Sequence, residues 1–117
     1  MIYTSCFATA GRLGSAVAIA RGVPRWFRGR IYEPLRPSRA MLPLKAVAYE
    51  AAYQELLAAL DPDEIASAIG AGSVMFCWER NAADCHRTMV ARFLQGAGYD
   101  VEEIATDFGP QQLTLFQ

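Results

Sequence analysis

Ser73-Val74-Met75-Phe76-Cys77-Trp78-Glu79 (SVMFCWE) is the most strand-like stretch of this 117-residue chain. It runs into a polar loop at 80–84 and then into a helical pattern at 85–95 that stops at Gly96 and Gly98. Asp84 is placed to cap that helix. Beyond it, residues 99–106 read as a last strand, weakened by Asp100, Glu102 and Glu103. Upstream, a Gly70-Ala71-Gly72 turn separates the strand from a helix opened by Asp61-Pro62, an N-cap with proline at the first helical position. Residues 44–60 (LKAVAYEAAYQELLAAL) form the best helix, with Val47, Tyr49, Tyr53, Leu56, Leu57 and Leu60 near amphipathic spacing. Residues 1–8 read as a first strand broken by Gly11 and Gly14, and Val17 and Ile19 mark a second short one. Strands that alternate with helices pair in parallel. The expectation is therefore an α/β fold: a small three-layer sandwich with a mostly parallel sheet and helices on both faces. One domain covers residues 1–108, and 109–117 form a tail.

Composition excludes several classes. Apolar residues make up 53% and charged residues 20%, which rules out a disordered chain. No apolar run is long enough to span a bilayer. The short run at 13–20 follows an uncharged start, the reverse of a signal peptide. Three cysteines, an odd number, point to a reduced, cytoplasmic chain rather than a disulfide framework. The formal net charge of −1 conceals a segregation. Residues 1–45 carry eight basic side chains and one acid, Glu33, whereas residues 46–117 carry three basic side chains and eleven acids.

Chemistry concentrates where the strand at 73–79 hands over to the helix. Ligands bind at that edge of open α/β sheets, and a helix N-terminus favours anions and thiolates. Cys77, Glu79, Cys85, His86 and Arg87 form the candidate catalytic set. In one reading Cys85 is a thiolate nucleophile, His86 or Glu79 moves protons, and Arg87 holds an anion. In a second, Cys77, Cys85 and His86 bind a metal such as zinc with Glu79 as fourth ligand or base, although no C-x-x-C or H-x-E spacing supports it. In a third, the cysteines pack and Arg87 with the helix terminus binds phosphate. No cofactor is required. The interval from Cys85 to Arg92 is one residue too long for the cysteine–arginine loop of tyrosine-phosphatase-type enzymes.

The pattern Cys77-x-Glu79 followed by Cys85-His86-Arg87 and a helix resembles the signature of the domain of unknown function (DUF) 488 family. Tyr3-Thr4-Ser5, Pro24-x-Trp26, Leu35 with Pro37, and Tyr49…Tyr53 follow that family's order of features. The resemblance implies a compact α/β fold and treats the five residues as one site, without supplying a reaction. A catalytic version would be a Cys- or Glu-dependent hydrolase or transferase acting on a nucleotide or nucleic acid.

Two further segments suggest partners. Gln112-Leu113-Thr114-Leu115-Phe116 resembles the short peptide by which bacterial replication and repair proteins dock on the β sliding clamp, with Leu115 and Phe116 as apolar anchors. The competing reading is a C-terminal strand that buries Leu113 and Leu115. The proline-punctuated segment at 24–43 interleaves Arg25, Arg28, Arg30, Arg36 and Arg39 with Trp26, Phe27 and Tyr32. That mixture suits phosphate contact with base stacking, or a solvated loop paired with the chain's own acids. Together these features point to a nucleic-acid-metabolism protein recruited to the sliding clamp, with a pocket for an anionic or nucleotide-like group. The alternative is a non-catalytic adaptor or clamp-occupying inhibitor.

Overall fold

Every residue of Ser73–Cys77 is buried, as a strand flanked on both sides and covered on both faces requires. The computed structural model describes residues 1–7, 15–78 and 86–104. In chain order it has β1 (Ile2–Cys6), β2 (Ser15–Ala18), β3 (Arg30–Ile31), α1 (Ala46–Ala58), α2 (Pro62–Ile69), β4 (Ser73–Cys77), α3 (His86–Gly96) and β5 (Val101–Glu103). Two 3-10 turns, Glu33–Leu35 and Arg39–Met41, lie between β3 and α1. The strands form one sheet in the order β3-β2-β4-β1-β5, and every pairing is parallel. None of the described helices is long and apolar enough to cross a membrane.

The expected small α/β sandwich with a parallel sheet is what forms. Val17, Ile19 and Met75 turn one way, into a core with Leu35, Tyr53, Leu57, Ile65, Ile69, Val90 and Leu94. Ala18, Ala20, Val74 and Phe76 alternate to the other face and meet Phe7, Val23 and Phe27. The layers differ from the expectation in one respect. Among the described residues α1, α2 and α3 all share the first core, and coil with aromatic side chains closes the second face. The connections from β3 to β4 and from β4 to β5 both run in the same direction along the sheet. Right-handed crossovers running one way leave their helices on one face.

Local signals account for most boundaries. The Asp61 carboxylate accepts from the Asp63 backbone N–H at 2.9 Å, so the expected N-cap is made. Tyr53 and Leu57 are buried on α1, but Val47 is 83% exposed. At 100° per residue Val47 falls well off the line through Tyr53 and Leu57. Tyr53 donates its hydroxyl to the Leu35 carbonyl at 2.6 Å, tying α1 to the first 3-10 turn. The two-residue β3 lies inside the segment read as irregular, and both of its residues are exposed. No apolar alternation announces so short an edge strand.

Topology decides where the outgoing connections part. The chain leaving β2 turns outward to β3, while the chain leaving β4 crosses β1 to reach β5. Because β2 and β4 are neighbours, their outgoing connections part at the C-terminal edge of the sheet, which is the switch point of an open α/β sheet. Gly29 sets the approach of the β3 segment. A Cβ there would lie 2.3 Å from the Ala16 carbonyl oxygen and 2.6 Å from the Phe27 ring. Backbone cannot yield to that contact as a flexible side chain could. Gly29→Ala is expected to cost about 2 kcal/mol or more of unfolding free energy in urea, whereas an alanine at exposed Gly22 should cost far less.

Candidate functional site

A cleft of about 1100 Å³ opens where the connections after β2 and β4 part. Ala20, Arg21 and Gly22 line it from the β2 side, and Cys77 and Trp78 from the β4 side. Arg39, Leu42 and Leu44 form a rim, α1 adds Tyr49 and Glu50, and α3 adds His86, Thr88, Met89 and Arg92. Trp78 Nε1 donates to the Gly22 carbonyl at 2.8 Å and so joins the two walls. Its ring remains 52% exposed.

The arginines divide into structural and uncommitted groups. Arg21 donates from Nε to the Pro37 carbonyl at 2.8 Å and pairs with Glu33 at 3.2 Å. Arg36 donates from Nε to the Ala20 carbonyl at 2.8 Å, from Nη2 to the Arg21 carbonyl, and pairs with Glu33 at 2.7 Å. Both arginines staple the loop and hold the Glu33 carboxyl below its usual pKa through hydrogen bonds and proximity of charge. Arg30 donates to the Ala68 and Ile69 carbonyls at 2.9 and 2.7 Å, capping the C-terminus of α2. Arg39 and Arg92 are different. Both are exposed, both line the cleft, and neither guanidinium has a hydrogen-bond or ion-pair partner among the described residues. Glu50 is the one acid that lines the cleft among those residues.

His86 forms part of the floor but is chemically quiet. It is 6% exposed, and Nε2 lies 2.8 Å from the Ile19 carbonyl oxygen. A carbonyl only accepts, so Nε2 carries the proton and Nδ1 faces the Tyr49 hydroxyl at 3.5 Å. The ring meets Tyr53 edge-on, with centroids 4.9 Å apart. Burial lowers its pKa to about 4, with the Arg87 charge adding to the effect against the opposing Ile19 bond. The imidazole is therefore neutral at physiological pH and already bonded, a poor proton shuttle.

Arg87 does not line the cleft. Its side chain has no exposed surface, and Nε and Nη2 both bond the Glu103 carboxylate at 3.0 Å. Nη1 lies 3.0 Å from Cys77 Sγ. Thr4 donates to the same carboxylate at 2.6 Å. The expected anion clamp is thus an internal tie among β1, β4, β5 and α3. Cys77 is disulfide-bonded and offers no thiolate, contrary to the reading of a fully reduced chain, while the Cys6 side chain is buried. Cys77 and His86, the described members of the zinc donor set, both have their donor atoms engaged. No group of three metal-ligating side chains converges among the described residues. Glu79 and Cys85 lie outside the described residues, as does the proposed Asp84 cap.

Arg25, Trp26 and Arg28 are exposed beside the second core, with the Arg28 guanidinium 3.3 Å from the Arg25 carbonyl. The clamp-type residues Gln112, Leu113, Thr114, Leu115 and Phe116, and with them the alternative C-terminal strand, lie outside the described residues. The structure thus brings Cys77 and His86 to one cleft with Arg39, and separates Arg87, Arg30 and Arg36 from it. The sequence reading missed Tyr49, Trp78, Thr88 and Arg92 as lining residues. A signal for α3 was present: Arg87, Val90 and Leu94 share one stripe at i, i+3 and i+7, which is the buried face, and Thr88 and Arg92 share another. Compared with family models, curated proteins and solved structures, the chain matches none of them.

A folded-state pKa below the free-histidine value means the unfolded chain binds more protons between pH 4 and 6.5. His86 thus contributes stability that is present above pH 6.5 and is lost as pH falls toward 4. Urea unfolding should show about 3 kcal/mol of this loss, and His86→Gln should flatten the profile across that window.

Proposed function

We propose that this chain is a small cytosolic binding protein of nucleic-acid metabolism whose cleft takes a phosphate-bearing, nucleotide-like ligand. The observation that carries the reading is the pair of uncommitted guanidiniums, Arg39 and Arg92, facing one cleft at the switch point of the sheet. Charge-assisted bonds from arginine are the strong ones for phosphate, and an exposed Trp78 face beside them suits a planar group. The first turn of α3 at the same edge favours negative charge further.

A binding role is favoured over catalysis by the commitments of the other candidates. Arg87 is matched by Glu103, His86 is neutral and bonded, and Cys77 is oxidised. A hydrolase or transferase reading rests on Glu79, outside the described residues. Arg39→Ala and Arg92→Ala should each weaken binding of pyrophosphate and nucleoside diphosphates by about tenfold, read from Trp78 fluorescence or calorimetry. Unchanged affinities in both variants would remove the reading.

Recruitment to the bacterial β sliding clamp is proposed from Gln112-Leu113-Thr114-Leu115-Phe116. A peptide of residues 108–117 is expected to bind purified clamp, and the peptide with Leu115→Ala and Phe116→Ala is not. Equal binding by both peptides, or by neither at high micromolar concentration, would defeat it.

A further inference from the structure

Trp26 and Trp78 both pack against Phe7. The Phe7 ring is 3% exposed and meets Trp26 at 6.4 Å and Trp78 at 4.9 Å, edge-on in both cases. Each indole is about half exposed: 53% for Trp26 and 52% for Trp78. Trp78 is a wall of the cleft, whereas Trp26 lies outside it, between the exposed Arg25 and Arg28. The aromatic surface therefore runs out of the cleft, over the second face, to another cationic region. A lone phosphate or mononucleotide would use only the cleft end. Two partly exposed indoles one phenyl ring apart, with arginines at each end, match a flexible polyanion that carries planar groups at intervals. A duplex keeps its bases stacked on one another and offers them to neither indole. An acidic peptide has the charge but lacks the flat faces.

We propose that the ligand is a single-stranded nucleic acid, with one nucleotide in the cleft against Trp78 and a neighbouring base stacked on Trp26. Arg25 and Arg28 contact the backbone phosphates beyond the cleft. The inference rests on the reading of the cleft as a phosphate site and extends it to a polymer. Fluorescence anisotropy on the full chain tests it, with labelled hexathymidylate and hexauridylate, thymidine monophosphate as a cleft-only ligand, and a heparin fragment of similar charge. Either hexanucleotide should bind about tenfold or more tighter than the mononucleotide. Trp26→Ala should abolish that advantage and leave the mononucleotide affinity unchanged. The double variant Arg25→Ala/Arg28→Ala, at two exposed positions, should do the same and reduce the salt dependence of oligonucleotide binding. Heparin binding as tight as the oligonucleotides would overturn the inference, since charge alone would suffice. So would hexanucleotides that bind no better than the mononucleotide while Arg39→Ala still weakens both: the track falls and the cleft stands. If Arg39→Ala and Arg92→Ala change no affinity at all, the cleft reading itself is what has failed.

Discussion

A guanidinium with no exposed surface must find its counter-charge inside the protein. Arg87 finds it in Glu103, through two parallel bonds of 3.0 Å. That single requirement binds the architecture together. It attaches the first turn of α3 to β5, reaches Cys77 at the end of β4, and is shared with Thr4 on β1 through the same carboxylate. Removing one partner would leave a buried charge uncompensated, which is far more damaging than losing an exposed pair. The floor of the cleft and the right-hand half of the sheet are thus held by one cluster. The neutral His86 next to it follows the same logic: beside a buried positive charge and out of water, an imidazole keeps its proton count low.

The division of labour among the arginines gives the cleft its character. Arg21 and Arg36 spend their donors on backbone carbonyls and Glu33, which fixes an otherwise irregular segment against the end of β2. Arg30 completes a helix C-terminus. Arg39 and Arg92, brought from distant parts of the sequence, line the cleft without such commitments. A basic segment that looks uniform in one dimension is therefore three kinds of residue in three. Trp78 makes a comparable double contribution, since its N–H holds the loop while its face stays open.

The α/β class, the parallel sheet, the Asp61 cap and a cleft at the strand-to-helix edge were legible, because each depends on local periodicity or on a rule of topology. The roles of Arg87 and Cys77 were not, because both are decided by Glu103, Thr4 and a sulfur–sulfur bond that no spacing reveals. Arg87 could have been placed correctly from its register with Val90 and Leu94, had the stripe been weighed against the motif around it. Val47 misled for the converse reason: an apolar residue near the right interval still faces solvent if the turn angle is wrong. The edge strand β3 left no trace because two exposed residues carry no pattern, and its position depends on Gly29 passing Ala16.

The sheet order has a consequence for the order in which the chain can settle. β1 precedes both of its neighbours in the chain, β4 at Ser73–Cys77 and β5 at Val101–Glu103. During synthesis β1 therefore waits until residues through 77 have emerged for one side and through 103 for the other. Such long-range parallel pairings are slow to close. Its composition suits that wait: Thr4 and Ser5 dilute the apolar run of Ile2–Cys6, leaving a nascent strand less prone to pair with the wrong partner than a run of aliphatic residues would be.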